Sequence, residues 1–428
     1  MTASDQDIQK AADAYVFGYP LVLVDLSRQV QTNTVTPTDH SAPVNQFSHH
    51  TQLAGPQDTG VVRVNRDTLY SVAWLDVAAE PVVLQVPGMG ERYWLMQMMD
   101  AWSNTLQDPS SLAPGLGQPA EGPYTYAVTG PGWTGTLPAG VVALPMPTNT
   151  VWLAGRTEVD GPDDVDNVTA LQDLMKLMPL SAWPGDGYTP PAGTVDPTVD
   201  MTTPPDVQVA AMAPADFYAR LCTLLAAYPP SPDDPDTMHW IGTIGITPGG
   251  EVTLDDDALQ QAVDAATDRI TKHIDDGGKD LNGWTFSTAM GAYGTDYDQR
   301  AYVAKTALGA NLPKDALYPS LGPVPADRYT LTFTDGLPPA GAFWSVTAYT
   351  VDGHFIDNPA QIYSVGHQIP VTGDPVTLVI QKDDPDLPDG YWLPIADDDF
   401  TLMMRLYAPT DPALDTWSPP PLNPLLGD

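Results

Sequence analysis

Apolar residues recur at helical spacing at the start of the chain and again in its middle. The first segment has an apolar side chain every three or four positions, at Ile8, Ala12, Tyr15, Tyr19, Val22 and Leu26. This spacing predicts one apolar face of a helix, which Pro20 is expected to kink or divide. The same spacing recurs in four later segments, which start at Val165, Phe217, Leu259 and Tyr297. Helices are therefore expected near residue 1 and in the middle of the chain.

Two other regions have shorter apolar runs that fit β-strands. Between residues 61 and 156, runs rich in Val, Leu, Trp and Tyr are separated by turn residues and lie at 70–77, 82–86, 92–99, 124–128 and 151–156. After residue 328, apolar and polar residues alternate at 329–333, 376–380 and 400–406. Short strands separated by Pro and Gly turns are typical of an antiparallel β-sandwich. The sequence therefore predicts two sandwiches.

The order of these elements predicts a mainly β fold with an α-helical module, in four segments. Residues 1–35 form a helix that packs on the helical module, and residues 36–160 form the first sandwich. Residues 161–312 form the helical module, with an irregular Pro- and Gly-rich excursion at 184–206. Residues 313–428 form the second sandwich. Strands and helices do not alternate regularly, which argues against a doubly wound nucleotide-binding fold.

The composition indicates which classes of partner and which cellular compartment are to be expected. Seventeen basic residues stand against 54 acidic ones, giving a formal net charge of −37. This charge disfavours nucleic acid and anionic membrane surfaces as partners. Cys222 is the single cysteine, so no disulfide within the chain is expected. Residues 1–10 do not resemble a secretory signal, and no apolar stretch is long enough to cross a bilayer. We therefore expect a cytoplasmic protein.

The sequence lacks the common motifs of cofactor-binding proteins and hydrolases. Gly88 and Gly90 lack the third glycine of a dinucleotide-binding loop, and Lys279 is followed by Asp280 rather than by the Ser or Thr of a phosphate-binding loop. The sequence contains no G-x-S-x-G, S-x-x-K or H-E-x-x-H motif. We therefore expect no cofactor and no metal site.

Polar residues that are costly to bury are concentrated beside the first predicted strand. The window contains Arg63, Asn65, Arg66, Asp67, Thr68 and Tyr70, and His50 precedes it. Near a core, such residues must bond either a ligand or each other. In one interpretation Asp67 is an acid or base, Tyr70 donates a proton or hydrogen bond, and the two arginines hold negative charge on a substrate. In the other, the residues form a structural network that fixes a strand-to-turn corner.

Two further groups are candidates for contact with a substrate. Asp100, Trp102 and Asn104 alternate at the end of a predicted strand, so that a carboxylate, an indole and an amide share one face. Saccharide sites combine an aromatic face with such polar groups. In the second sandwich, Arg405 is expected on the face opposite to the apolar residues of its strand, where Trp344 joins it in lining a groove. An ordinary strand exit and an exposed sheet face predict the same patterns, so these alternatives stay open.

Several motifs resemble two bacterial families of domains of unknown function. Residues similar to the family numbered 1254 lie at 64–71 (VNRDTLYS), 92–94 (RYW), 100–104 (DAWSN), 130–133 (GPGW) and 147–152 (PTNTVW). Residues similar to the family numbered 1214, its usual partner, lie at 338–347 (PPAGAFWSVT), 357–359 (DNP), 392–394 (WLP) and 405–407 (RLY). The resemblance implies an immunoglobulin-like β-sandwich, a helical module and a jelly-roll-like β-sandwich, but no activity. After Asn358 and Pro359 the family usually has an Arg-Tyr pair, where this chain has Ile362 and Tyr363.

Two functional hypotheses follow. The first is a cofactor-independent hydrolase or lyase that acts on a small hydroxylated or saccharide-like substrate, with Asp67, Tyr70 and Asp100 as catalytic groups. Its expected substrate-binding residues are Arg63, Asn65, Arg66, Thr68, Trp102, His50, Trp344 and Arg405. The second is a non-catalytic protein that binds a ligand or carbohydrate, or has a structural role. The helical module and its excursion are also a candidate surface for homo-oligomer formation.

Overall fold

Seven α-helices and twenty β-strands occur in the described part of the chain. The computed structural model describes residues 3–60, 62–185, 187–274, 277–334, 336–369, 371, 373, 375–386, 391–411 and 415–425. The helices are α1 (Asp5–Thr32), α2 (Val165–Gln172), α3 (Pro205–Ala211), α4 (Pro214–Ala227), α5 (Pro235–Gly242), α6 (Asp256–Thr271) and α7 (Tyr297–Ala307). Two 3-10 helices lie at Pro162–Asp164 and Leu180–Ala182. Within the described ranges, no helix is both long and apolar enough to cross a membrane.

The first nine strands form two sheets that enclose one apolar core. They are β1 (Ser48–His49), β2 (Thr68–Asp76), β3 (Val82–Val86), β4 (Trp94–Met99), β5 (Thr105–Gln107), β6 (Tyr124–Thr129), β7 (Val142–Pro145), β8 (Thr150–Glu158) and β9 (Lys176–Pro179). One sheet has the order β1-β2-β8-β4-β5 and the other β7-β6-β3-β9. Their shared core includes Leu84, Trp94, Met96, Tyr126 and Leu153. These two sheets form the N-terminal sandwich.

The other eleven strands form a second pair of sheets. They are β10 (Gly278–Leu281), β11 (Trp284–Ser287), β12 (Ala316–Leu317), β13 (Ser320–Val324), β14 (Tyr329–Phe333), β15 (Trp344–Thr350), β16 (Ser364–Val365), β17 (Val376–Gln381), β18 (Tyr391–Pro394), β19 (Phe400–Tyr407) and β20 (Leu422–Pro424). One sheet has the order β10-β11-β13-β19-β15-β16, with β12 also paired to β19, and the other β18-β17-β14-β20. Val346, Leu378, Ile380, Phe400 and Leu402 lie in the core between them.

The prediction of open, sandwich-like sheets with several helices is confirmed at this coarse level. Strand β3 has the predicted bounds, and β8 extends the predicted strand by one residue at its start and two at its end. Two details differ from the antiparallel expectation, because β6 pairs with β7 and β17 pairs with β18 in parallel. The sheets also extend past the expected segment limits at residues 160 and 312. Strand β9 pairs with β3, and β11 pairs with β13.

The amino-terminal helix is buried in the helical module. Ser4 caps α1 by accepting a hydrogen bond from the amide of Asp7. The helix continues through Pro20 without being divided. Its Tyr15 ring stacks on Phe217 of α4 with centroids 4.1 Å apart, and the hydroxyl of Tyr218 donates to the carbonyl of Ala11. Helix α1 therefore packs on the helices of the middle of the chain.

The two sandwiches meet through the outer face of one sheet of each. Leu95 of β4 packs with Tyr407 of β19 in a small apolar cluster. These positions alternate along the strands with residues of the two main cores, such as Trp94 and Leu406. The same alternation turns the polar residues of these strands toward the junction between the sandwiches.

Candidate functional site

A cluster of buried and half-buried polar side chains lies at this junction. We name it the interface cluster, and it consists of Asp67, Tyr70, Arg156, Tyr318, Ser345, Tyr349, Arg405 and Tyr407. The first three come from the N-terminal sandwich and the other five from the C-terminal half of the chain. Because both sandwiches contribute, the cluster exists only when they are packed together.

Asp67 has one satisfied and one unsatisfied carboxylate oxygen. Its side chain is fully buried, and the hydroxyl of Ser345 donates to Oδ2 at 2.7 Å. The other oxygen, Oδ1, is buried and has no hydrogen-bond partner. The backbone here is fixed by Asn65, whose Oδ1 accepts from the amides of Asp67 and Thr68 at 3.0 and 2.9 Å. An unsatisfied buried acceptor is costly, so this oxygen sets Asp67 apart from the other groups of the cluster.

Arg405 is held by groups from both sandwiches. Its Nη2 donates to the Tyr349 hydroxyl and to the carbonyl of Arg63, each at 2.7 Å. Its Nη1 donates to Oγ1 of Thr347 at 3.2 Å, and the Tyr349 hydroxyl donates to the carbonyl of Val64 at 2.8 Å. Residues 63–64 therefore cover the cluster with their backbone. The side chain of Arg63 is exposed, and its φ of 51° lies in the left-handed region.

Arg156 is held in place by the side-chain amides of Gln97 and Asn311. Its Nη1 donates to Oε1 of Gln97 at 2.8 Å, and the same oxygen accepts from Nδ2 of Asn311 at 2.9 Å. The guanidinium carbon lies 5.2 Å from the centre of the Tyr70 ring. The hydroxyl of Tyr318 donates to Oδ1 of Asn311 at 2.7 Å. These bonds orient the guanidinium without a carboxylate partner.

Positive charge exceeds negative charge within the interface cluster. Burial raises the pKa of Tyr318 to about 12 and raises the pKa of Tyr349 and of Tyr407 above the ordinary value, so these phenols are neutral at pH 7. Burial opposes the charge of Arg405, but the hydrogen bond to the Tyr349 hydroxyl and the nearby Asp67 carboxylate help to raise its pKa. In the described part of the chain, neither Arg405 nor Arg156 forms an ion pair with a carboxylate. Two guanidinium groups thus stand against one carboxylate.

The structure brings several residues predicted from the sequence into or beside this cluster. Asp67 and Arg405 lie within it, and Tyr70 accepts a hydrogen bond from Nδ2 of Asn65 at 2.6 Å. Thr68 supports the same turn, because its hydroxyl donates to Oδ1 of Asn65 at 3.1 Å. Arg66 lies to one side, with its guanidinium carbon 4.9 Å from the centre of the Tyr363 ring.

Asp100 and Trp102 belong to a different place in the fold. Oδ1 of Asp100 accepts from the amides of Trp102 and Asn104 at 2.9 and 2.8 Å, which holds the turn after β4. Burial raises the pKa of Asp100. The Trp102 ring lies 5.1 Å from the guanidinium carbon of Arg300 in the helical core. Among the residues described, no contact joins Asp100 to Asp67, so the structure does not unite the expected carboxylate pair.

His50 and Trp344 also lie outside the interface cluster. The His50 ring lies 5.6 Å from the Tyr70 ring and 5.1 Å from the His40 ring. Burial lowers the pKa of His50 to about 4. Trp344 packs in the apolar core of the C-terminal sandwich, where its ring lies 5.1 Å from Phe333.

Arg156, Ser345 and Tyr318 are among the cluster members that the sequence analysis did not name as candidates. Arg156 ends a predicted strand, a position where a surface arginine is equally common. Ser345 alternates with core residues along β15 and is on the same face as Tyr349, so the period of two would have found it once Arg405 was placed. Tyr318 lies in a short connection between β12 and β13 and carries no pattern of its own.

A separate groove of about 860 Å³ lies between the end of α1 and residues 191–200. Its lining includes Arg28 and Arg220, but both guanidinium groups are paired with the carboxylate of Asp25. Both guanidinium groups of this groove therefore form ion pairs within the protein, in contrast to those of the interface cluster.

Two family models match this chain, and several solved structures match it as well. Residues 44–179 match the family described as protein of unknown function DUF1254, and residues 324–411 match the one described as protein of unknown function DUF1214. The expected resemblance, in this order along the chain, is therefore confirmed. No curated protein matches. The crystal structure of the VPA0106 protein from Vibrio parahaemolyticus is 21% identical, with a TM-score of 0.72, over 98% of this chain and all of that one; it shows the fold alone.

A second solved structure is more distant. It is an uncharacterized protein from Burkholderia cenocepacia, 13% identical, which covers 97% of this chain and 93% of its own with a TM-score of 0.43. This value is too low to support an argument about the fold.

Proposed function

We propose that the chain is a cofactor-independent enzyme of hydrolase or lyase type, and that the interface cluster binds a small hydroxylated substrate with an anionic group. The observation that carries the proposal is Asp67 Oδ1, a buried carboxylate oxygen without a donor in a cluster with two guanidinium groups that have no carboxylate partner. Buried charges are costly unless they are paired. A substrate that supplies both a hydroxyl and an anion would satisfy both needs.

Each side chain then has a distinct role. Arg405 and Arg156 hold the anionic group and stabilise negative charge that develops on it during the reaction. Asp67 accepts a proton from the substrate hydroxyl, or returns one, as general base or acid. The phenols of Tyr70 and Tyr407 supply hydrogen bonds. Ser345 keeps the carboxylate of Asp67 oriented through its bond to Oδ2.

Access to the cluster is proposed to run through residues 62–64. Val62 is 56% exposed, while the carbonyls of Arg63 and Val64 bond Arg405 and Tyr349. This segment is thus the thin cover between solvent and the cluster. Displacing it would break two hydrogen bonds, which a bound anion could replace.

The finer expectations about fold and compartment are proposals as well. We propose that the N-terminal sandwich is an immunoglobulin-like variant and the C-terminal one a jelly-roll variant, supported by their mostly antiparallel pairing around single cores. A cytoplasmic location is supported by the single, buried cysteine.

The test is a turnover screen with matched variants. The protein is incubated with hydroxylated carboxylates and phosphorylated sugars, and products are identified by mass spectrometry. Asp67→Asn keeps the bond from Ser345 but removes the base, so turnover should fall by at least about 100-fold with the melting temperature nearly unchanged. Asp166→Asn, an exposed substitution on α2, should retain full turnover.

Two outcomes would contradict the proposal that the chain is an enzyme. The first is turnover that survives in Asp67→Asn. The second is binding of a compound, seen as a raised melting temperature that is lost in Arg156→Gln, with no product from any bound compound. That result would favour the non-catalytic binding protein instead.

A further inference from the structure

Three metal-ligand side chains converge near the interface cluster. Nε2 of His367 lies 3.5 Å from Oε1 of Glu158 and 3.3 Å from Oδ1 of Asp160. One ligand atom from each residue lies within 4.8 Å of the other two. Glu158 ends β8, and Asp160 follows it in the N-terminal half of the chain, whereas His367 comes from the C-terminal half. We name these three residues the rim triad.

The imidazole has an unsatisfied nitrogen that points into this triad. The His367 side chain is 9% exposed, and its Nε2 is buried without a hydrogen-bond partner. The distances from Nε2 of His367 to the two carboxylate oxygens match the distances between neighbouring ligand atoms in a metal site. Ligands bound at about 2.1 Å with tetrahedral angles lie about 3.4 Å from each other. The two distances from Nε2 of His367 therefore fit a single ion bound by all three side chains.

Neighbouring groups hold each ligand in place. The ring of Phe343 stacks on the imidazole with centroids 4.1 Å apart. The amide of Tyr93 donates to Oε2 of Glu158 at 2.7 Å, which leaves Oε1 directed at the histidine. The amide of Asp160 donates to Oδ2 of Asp164 at 3.0 Å, and Asp164 is paired with Arg92. Supporting bonds of this kind orient the ligands of metal sites.

We propose that Glu158, Asp160 and His367 bind a first-row divalent cation of the Zn²⁺, Mn²⁺ or Co²⁺ class. An imidazole with two carboxylates suits these ions, whereas Ca²⁺ and Mg²⁺ prefer oxygen ligands throughout. The Asp160 side chain is 68% exposed, so water or a ligand completes the coordination shell. The site uses no residue of the interface cluster and stands independently of the proposed function. It also departs from the expectation of no metal.

The experiment uses the full chain after removal of metal with a chelator. Titration calorimetry with ZnCl₂ should show one tight equivalent, and CoCl₂ should give the visible absorption of a coordinated Co²⁺ ion. His367→Gln and Asp160→Asn should each weaken Zn²⁺ binding by about 100-fold and abolish the Co²⁺ band. Two exposed substitutions, Asp163→Asn and His239→Gln, should leave both signals unchanged.

The controls separate this site from weak binding by the acidic surface. The protein carries a formal net charge of −37, so nonspecific cation binding should be similar in all variants. Equal Zn²⁺ affinity in the wild type and Asp160→Asn would overturn the proposal. Absence of a tight equivalent in the wild type would also overturn it. Asp160 is exposed, so its variant should fold even where His367→Gln does not.

Discussion

The interface cluster and the surroundings of Arg300 both bury a guanidinium among aromatic rings and acids, but they balance the charges differently. The carbon of the Arg300 guanidinium lies 5.1 to 5.3 Å from the rings of Phe17, Trp102 and Tyr297. The carboxylate of Asp100 is occupied by the amides of its own turn. In the interface cluster, by contrast, Asp67 keeps one oxygen free.

The unsatisfied atoms differ in kind as well. Around Arg300 they are donors, Nε of Arg300 and Nε1 of Trp102, beside rings that attract positive charge. Among the residues of the interface cluster the unsatisfied atom is an acceptor, Oδ1 of Asp67. Burial is similar in both regions, so only the hydrogen bonds of the individual polar atoms separate the structural cluster around Arg300 from the one that we propose to bind a ligand.

The largest expected effect concerns the two buried aspartates. Asp100→Ala removes the acceptor of two turn amides and a buried acid that acts on Arg300, which should lower the free energy of unfolding by about 3 kcal/mol or more. Asp67→Asn keeps the bond from Ser345 and should change it by less than about 1 kcal/mol. Urea unfolding followed by circular dichroism measures both. Equal losses in the two variants would remove the distinction between the regions.

The unfolding free energies of the two aspartate variants are best compared near pH 7. Below that pH, two histidines beside β2 make the stability of the protein depend on pH. Burial lowers the pKa of His49 and of His50 to about 4. Between pH 6.5 and 4 the unfolded chain therefore binds more protons than the folded one, so stability falls as the pH falls through this window. After discounting for partial exposure, we expect about 2 kcal/mol for each histidine at pH 4.

His50→Gln tests the contribution of His50 to the pH dependence of the unfolding free energy. The difference in unfolding free energy between the wild type and the variant should change steadily from pH 6.5 to pH 4, in favour of the variant. A difference that does not vary with pH would show that His50 titrates alike in the folded and unfolded chain.

The smallest effect compares two tyrosine hydroxyls. Tyr349→Phe removes a bond to the carbonyl of Val64 and one acceptor of the Arg405 guanidinium, and Tyr297→Phe removes a bond to Oδ1 of Asp234. The first should cost about 2 kcal/mol and the second about 1 kcal/mol. The variants should differ in limited proteolysis, because only Tyr349→Phe loosens the cover at residues 62–64 and speeds cleavage by trypsin after Arg63. Equal cleavage rates would show that the Tyr349 hydroxyl does not hold residues 62–64 in place.

Local elements of the fold were predictable from the sequence, and long-range pairing was not. Strand β3 was bounded correctly because turn residues flank a short apolar run. The partner of a strand depends on distant residues, which is why the parallel pairs β6–β7 and β17–β18 were not foreseen. Pro20 did not divide α1, because burial against the other helices outweighs the loss of one backbone bond.

The candidate site was predictable only in part for a similar reason. Asp67, Tyr70 and Arg405 were found because strongly polar residues are unusual beside buried strands. Alternation fixes the face of a strand on which a residue lies but not its distance from another strand, so the pairing of Asp67 with Asp100 was proposed without support. The rim triad joins residues more than 200 positions apart, at 158–160 and 367, and no spacing signals it.

The packing of α1 has a consequence for synthesis of the chain on the ribosome. Its buried residues contact α4, α6 and α7, and the carbonyl of Phe17 accepts from Arg300. Tyr297, the first residue of α7, follows Thr32 by 265 residues. At about 5 to 20 residues per second, α1 therefore waits roughly 10 to 50 s for its last partner. During translation its apolar face needs protection by a chaperone or by transient contacts within the nascent chain.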